Sequence, residues 1–379
     1  MSVASMNLQS IRRKFPIVDS KIFLNHAGVS PLSVPVLDAI KKYLEKLSYL
    51  EDVSPILDEA RSLFARLVNA KLGEVALVPN TSTGLNIAAN VLEYPSGSNV
   101  VTTDLEYPSV VYPWLRRKLK PRVEVRYVRN VDGKLRLEDF EKMVDDRTVA
   151  VAVSHVEYAN GFRNDLKAIA EVTHEHGAFL IVDACQSAGA LRIDVKGDDV
   201  DFLATSCYKW LLGPAGAGFL YIRKDLIERS EPLFVGWASV KPEVFQTVEL
   251  WENKDLRLSE TASRFEVGEP SILSFVGAAA ALRLIMEAGV ERIERRILDL
   301  TGFLIERLKG KGFKLQTPEE PESRSGIVNL LVGNPEEKIK ELRQRGIIVS
   351  SRMRGIRVSP HFYSTEDEIV TFVETIRNL

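Results

Sequence analysis

Short apolar runs rich in β-branched residues recur along the first two-thirds of the chain, at residues 74–78, 99–102, 123–128, 149–154, 179–183, 201–205 and 218–222. Continuous runs of this length, without strict alternation, suit strands buried on both faces. Between most of them the apolar period lengthens to that of a helix, as at 85–92, 137–144 and 166–176. Alternating strands and helices predict an α/β layout, a mostly parallel seven-stranded sheet with helices on both faces. The pattern changes after Trp237. Residues 241–259 are charged and aperiodic and read as an excursion out of the first unit. A long helical stretch follows at 274–286, where Gly277 and the run Ala278 to Ala281 permit close packing. From 292 to 379 the pattern reads helix, strand, helix, strand, helix, a smaller α+β C-terminal domain.

A chain of 379 residues is long for one domain, which agrees with this division. The formal net charge of −2 gives no reason to expect nucleic acid as a partner. Neither the first fourteen residues nor any later segment carries an apolar run of signal-peptide or membrane-spanning character. The two cysteines, Cys185 and Cys207, argue against a disulfide framework and fit a cytoplasmic setting. His174 and His176 lie two apart at a helix end and point to different faces, so no metal site is read from them.

The chemistry concentrates around Lys209, in Ser206-Cys207-Tyr208-Lys209-Trp210-Leu211-Leu212-Gly213-Pro214. The strand Phe179-Leu180-Ile181-Val182-Asp183 precedes it by about one βα unit. Open α/β sheets bind ligands at the carboxyl ends of their strands, so the Asp183 carboxylate and the Lys209 amine face one crevice. An amine in a dry pocket loses its proton readily and forms Schiff bases. A carboxylate paired with a ring nitrogen keeps it protonated, which suits pyridoxal 5'-phosphate. The 74–78 strand runs into Asn80-Thr81-Ser82-Thr83-Gly84 and then a helix, a ready anion site, although the same residues also make good helix caps. Gly213-Pro214-Ala215-Gly216-Ala217-Gly218 lacks the strand-then-helix context of a dinucleotide loop.

In combination, Asp183, Gln186 and Lys209 resemble the fold-type I pyridoxal-phosphate transferases. The resemblance is to the class V aminotransferase family, which includes cysteine desulfurases, kynureninase and isopenicillin N epimerase. It spans Asn25-His26-Ala27-Gly28 to Arg357-Val358-Ser359-Pro360-His361. It implies a large cofactor-binding domain over 21–259 and a small domain formed by 1–20 and 260–379, with the 11–17 segment packed on the latter. Lys209 would be the catalytic residue and the cofactor's covalent anchor. Ser82, Thr83 and Gly84 match the phosphate loop, and Ser206 and Tyr208 resemble phosphate ligands of the kynureninase-like branch. Gln186 matches the donor to the cofactor's phenolic oxygen, and Tyr107 in Glu106-Tyr107-Pro108-Ser109 is expected to stack on the ring. The run Ser154-His155-Val156 also resembles the family, but Tyr158 stands where desulfurases often carry an asparagine.

Arg357 matches the arginine that grips an amino-acid carboxylate, and a planar guanidinium fork suits that task. Arg352 and Arg354 read as ambiguous loop charges. His26 is a candidate substrate contact, with a structural role equally open. The resemblance also implies a homodimer with shared active sites. Trp237 is similar to a cross-subunit phosphate donor, and Glu269 stands where relatives carry threonine, so either it turns away or Ser271 substitutes. The 349–354 stretch lacks the loop cysteine of the desulfurases. The expected activity is therefore a class V aminotransferase acting on an amino acid. A pyridoxal-phosphate epimerase and a Cβ or sulfur lyase remain open, because the same residues serve all three. A cofactor-binding protein without catalysis and a nicotinamide dehydrogenase are disfavoured by Lys209 itself.

Overall fold

The computed structural model describes residues 7–50, 56–117, 123–241, 243–244 and 256–379. The chain begins with helix α1 (Leu8–Arg12), strand β1 (Ile22–Phe23) and helices α2 (Val34–Ser48) and α3 (Ile56–Leu67). Strand and helix then alternate through β2 (Val75–Val78), α4 (Thr81–Val91), β3 (Asn99–Thr103), α5 (Pro108–Arg117) and β4 (Glu124–Val128). The alternation continues with α6 (Leu137–Met143), β5 (Thr148–Ser154), α7 (Leu166–Glu175), β6 (Phe179–Asp183), β7 (Phe202–Ser206), β8 (Gly218–Ile222) and α8 (Lys224–Arg229). The last part holds α9 (Ile272–Ala288), α10 (Val290–Gly310), β9 (Lys314–Leu315), β10 (Val328–Leu331) and α11 (Pro335–Gln344). It closes with β11 (Ile347–Ile348), β12 (Ser350–Arg352), β13 (Gly355–Val358) and α12 (Glu366–Arg377).

The seven expected strands form one sheet in the order β2-β8-β7-β6-β5-β3-β4. All neighbours pair in parallel except β8, which runs antiparallel to both β2 and β7. Buried side chains cover both faces, Val101, Val151, Val182 and Leu203 on one and Val78, Ala152, Ile181 and Ala204 on the other. That two-sided burial explains why the strands read as continuous apolar runs. Helix α4 lies so close to the sheet that a Cβ on Gly84 would sit 2.8 Å from the Ala204 Cβ.

The C-terminal part builds a four-stranded sheet, β12-β13-β10-β9, all antiparallel. It has its own core of Leu300, Leu304, Val328, Ile356, Ile369 and Phe372. Where the 292–379 pattern predicts a second strand between two helices, the chain forms β11 and then a hairpin of β12 and β13. Its turn residues Met353 and Arg354 have φ of 48° and 59°, a two-residue geometry that matches the twist of the flanking strands. The N-terminal segment does reach this unit, since Arg12 pairs with Glu368 at 2.8 Å and Phe15 stacks on Tyr363 with centroids 3.8 Å apart. The expected boundary at residue 260 shifts, however. The α9 side chains Phe275, Ala278, Leu282 and Ile285 belong to the core of the large sheet, beside Phe64 and Phe219. Small residues let α9 pack against α2 and α3, which fixes it to the first unit. Most of the charged 241–259 stretch lies outside the described residues. Among these residues no single helix is long and apolar enough to cross a membrane, and the sharply bent α9–α10 pair has α9 in the core.

Gly84→Ala forces α4 off the sheet and should destabilise the apoprotein by about 1–3 kcal/mol despite alanine's better helix propensity. A urea midpoint unchanged or raised in the variant would show that the two layers part without cost.

Candidate active site

Asp183 ends β6, and three residues beyond β7 the chain turns to present Lys209. Both line a cavity of about 420 Å³ together with Tyr107, Tyr158, Gln186 and Ser206. Asp183 is buried and accepts the Cys185 backbone N–H at 2.7 Å. Desolvation raises its pKa to about 6, against the pull of that N–H and of Lys209. The Lys209 Nζ lies 5.7 Å from the Tyr107 ring centroid and 5.6 Å from that of Tyr208. Burial pulls its pKa down, but the ionisable Cys185 and Tyr208 and the Asp183 carboxylate together outweigh it, leaving the free amine above its ordinary value. The expectation that a dry pocket strips its proton therefore fails for the free lysine, because its surrounding groups favour the cation. Gln186 donates through Nε2 to Ala27 O at 3.0 Å and accepts from Trp210 Nε1 at 2.9 Å, keeping a second amide hydrogen for a ligand.

Helix α4 starts at Thr81, so the expected phosphate loop is the helix's own first turn. The Asn80 side chain caps the Thr83 N–H at 2.9 Å, and Asn80 O takes the Gly84 N–H at 3.3 Å. Thr81 gives its N–H to Ser206 Oγ at 2.8 Å. The Ser82 N–H is left without an acceptor among the described residues. Ser82 lines the Lys209 cavity and its Oγ pairs with Ser109 Oγ at 2.7 Å. Capping and anion binding thus divide the motif. Ser82 and Ser206 face the crevice, Thr83 faces a neighbouring cavity, and Gly84 serves the helix–sheet contact rather than a ligand. Ser109, in the first turn of α5, adds a crevice hydroxyl that the motif alone does not single out; its only sequence signal is a hydroxyl after a proline at a helix start.

Arg357, on β13, comes to the backbone of Tyr158 at the edge of the cavity and acts electrostatically on Lys209. It is fully buried, its Nη1 donates to Tyr158 O at 2.6 Å, its Nε to Ser350 Oγ at 3.3 Å, and its Nη2 has no partner. Burial, then the neighbouring Arg352, depress its pKa to about 9. A buried guanidinium nitrogen without an acceptor costs stability until an anion meets it.

His26 is corrected. It is fully buried, with Nδ1 on Ser359 O at 3.1 Å and Nε2 on the Tyr363 hydroxyl at 2.8 Å, between Trp210 and His361. Both ring nitrogens are occupied, so it pins the N-terminal loop and offers a substrate nothing. Trp237 is half exposed, its indole nitrogen near Gly268 and away from the Lys209 cavity. Glu269 and Ser271 line the adjacent cavity of about 820 Å³ along with Thr83. His174 and His176 meet separate carboxylates, Asp201 at 2.9 Å and Asp146 at 2.7 Å.

Two further acids were passed over. Glu106 accepts both the N–H and the hydroxyl of Ser154 at 2.6 Å, and Glu157 is buried with one oxygen on Asn164 Nδ2 at 3.1 Å and the other unpaired. Desolvation, opposed by the Ser154 bonds and helped by Asp183, lifts Glu106 to about 8, and desolvation with the charge of Glu106 lifts Glu157 well above the carboxylate range. Their positions beside Tyr107 and Tyr158 were the sequence signal.

The fold and this crevice define a fold-type I pyridoxal-phosphate enzyme. The chain belongs to the Aminotransferase class-V family, whose sequence profile matches residues 22–372. It is 32% identical to an uncharacterized aminotransferase, YcbU, of Bacillus subtilis (strain 168), over 97% of both chains. A probable cysteine desulfurase of Pyrococcus abyssi (strain GE5 / Orsay) is 30% identical over 98% of this chain and 97% of its own. The apo structure of a cysteine desulfurase from Thermococcus onnurineus NA1 superposes with a TM-score of 0.90 at 29% identity, covering 99% of each chain. Pyridoxal phosphate is the cofactor of the family. The crevice fits it: an amine with no ion pair among the described residues, a desolvated carboxylate, an unused helix N–H beside hydroxyls, and an orphaned guanidinium nitrogen.

Glu106 holds its proton to about pH 8 when folded but only to the ordinary carboxylate range when unfolded, so between those values the folded state binds more protons and stability falls as pH rises. Glu106→Gln should make the fall in apoprotein melting temperature from pH 5 to pH 8 shallower. An unchanged slope in a pH series of thermal melts would refute the assignment.

Proposed function

We propose that this chain is a pyridoxal-phosphate-dependent aminotransferase acting on an α-amino acid. The observation that carries the reading is the electrostatic proximity of Lys209, a half-buried amine of the large unit, to Arg357, a buried guanidinium of the small unit with Nη2 unused. One group suits a carbonyl and the other a carboxylate, and an amino acid presents its amine and carboxylate at that short separation.

When bound, the cofactor supplies an electron sink that acidifies the substrate's Cα–H. Lys209 would anchor the cofactor through its Nζ, and when free the same Nζ would take the substrate's Cα proton and pass it on from the same face. Asp183 holds the proton on the ring nitrogen, and Gln186 donates to the phenolic oxygen. Ser82, Ser109, Ser206 and Tyr208 hold the phosphate at the α4 N-terminus. Tyr107 covers one ring face, steadied edge-on by Tyr158 at 5.2 Å. Arg357 would hold the substrate carboxylate through its unused Nη2 and so orient the Cα–H toward Lys209.

Transamination requires one base moving a proton between two carbons on one face, and Lys209 suffices. Epimerisation requires a second base on the opposite face. A sulfur lyase is the second reading, favoured by relatives named as probable cysteine desulfurases. The β12–β13 hairpin carries no thiol, and Cys207 is buried with its pKa raised by desolvation, so such a lyase would release sulfur without a protein persulfide on either.

We further propose a homodimer in a cytoplasmic setting. Exposed Leu233, Phe234 and Val267 line the cavity that Ser82 and Thr83 share, a surface suited to a second copy, and both cysteines are free. The division into a large unit over 21–259, here extended by α9, and a small unit formed mainly by the C-terminal sheet is supported by the core that this sheet has of its own, although Ile297, Ile327 and Phe362 join the larger core.

Single L-amino acids without a keto acid should convert the bound cofactor stoichiometrically, bleaching its absorbance and releasing one keto acid per site. Sustained turnover without bleaching would overturn transamination in favour of a lyase or epimerase. Lys209→Ala should abolish the protein-linked cofactor absorbance and turnover together. Arg357→Gln should weaken amino-acid saturation by roughly 10- to 100-fold, the worth of a hydrogen bond to a charged group.

A further inference from the structure

We propose that Arg352 is a second substrate contact beside Arg357, and that the substrate is an amino acid carrying a second anionic group on its side chain, a dicarboxylic amino acid being the simplest. The inference rests on the reading of Arg357 as the α-carboxylate contact.

The placement follows from sheet register. β12 and β13 oppose Ser350 to Arg357 and Arg352 to Gly355. Opposed residues share a face, and so do residues two apart on one strand, so Ser350, Arg352 and Arg357 project to the same side. Arg352 and Arg357 are diagonal neighbours, roughly 7–8 Å apart at the backbone and within mutual reach of long side chains. Gly355 puts no side chain between them. The same face carries Asn329, opposite Arg357; Asn329 Nδ2 donates to Ala159 O at 2.8 Å, and Arg357 Nη1 to the carbonyl of Tyr158, which lines the Lys209 cavity. This side of the sheet therefore looks at the Lys209 crevice, while Val328, Ile356 and Val358 fill the small core behind it.

The electrostatics make the pair unusual. Among the described residues neither arginine forms an ion pair with a carboxylate. Arg352 Nη1 donates only to Ser351 O at 2.6 Å, and Arg357 only to neutral oxygens. The charge of Arg352 also bears directly on Arg357, helping to depress its pKa. Two neighbouring cations without a counter-ion repel each other, and a dianion relieves both. Arg357 is buried and Arg352 half-buried, so the α-carboxylate lies deep and the distal anion at the mouth. The hairpin holds this spacing firmly. Gln316 Nε2 donates to Met353 O at 3.0 Å and Asn329 Nδ2 to Arg352 O at 3.1 Å, pinning both ends of the turn.

The test is calorimetric binding of two unreactive acids, succinate and propionate, to the holoenzyme and its variants, followed by spectral titration with L-glutamate and L-alanine. The wild type should bind succinate at least tenfold more tightly than propionate, and Arg352→Gln should bring that ratio near one, with the glutamate-to-alanine preference falling in parallel. A wild-type ratio near one, or a ratio that survives Arg352→Gln, overturns the inference. Arg357→Gln separates the two claims: it should weaken both acids together, and if it weakens neither, the carboxylate role of Arg357 falls whatever the ratio shows. Circular dichroism that matches the wild type confirms that each variant is folded.

Discussion

The site depends on one seam, where the polar face of the small sheet meets the backbone just beyond β5. Arg357 Nη1 donates to Tyr158 O, Asn329 Nδ2 to Ala159 O and Thr317 Oγ1 to Asn160 O, at 2.6 to 2.8 Å. These three contacts satisfy successive carbonyls of an irregular segment that would otherwise be buried and unpaired, which is costly. They also bring a guanidinium from one unit to the lysine of the other. The cavity of Lys209 and Asp183 belongs to the large sheet, and Arg357 comes near it only because the seam closes.

The crevice is electrostatically unfinished. Asp183, Glu106 and Glu157 have raised pKa values chiefly from desolvation, Arg357 has a lowered one for the same reason, and Lys209 stays cationic because its surroundings outweigh burial. In a purely structural core such groups would be paired or replaced. Perturbed groups gathered in and around one cavity point to a functional centre, and Asp183 and Lys209 stand on its wall. By contrast, His26 and His361 are buried and neutral with their nitrogens engaged, which marks them as scaffold.

Much of this was legible beforehand. The seven strands emerge within a residue or two because two-sided burial makes each a continuous apolar run between turn signals. Lys209 and Asp183 were readable because strand ends at the carboxyl edge of a parallel sheet converge. What misled was always a matter of partners. The cap residue Asn80 claims the Thr83 N–H, packing against Ala204 claims Gly84, and Tyr363 claims His26. The hairpin at 350–358 was hidden because its turn residues, Met353 and Arg354, are not the glycine or asparagine that usually announce one.

The sequence by itself determined the α/β layering, the strand ends that carry the carboxylate and the amine, and the family to which the chain belongs, because these follow from local periodicity and from motifs a few residues long. Only the tertiary structure decided which of the polar side chains near those motifs remain free. Whether Nη2 of Arg357 is unpaired, whether Arg352 lies on its face, and whether Glu106 and Glu157 keep their protons depend on neighbours tens to hundreds of residues away. Hydrogen-bond satisfaction and desolvation are properties of the assembled interior, and no local pattern encodes them.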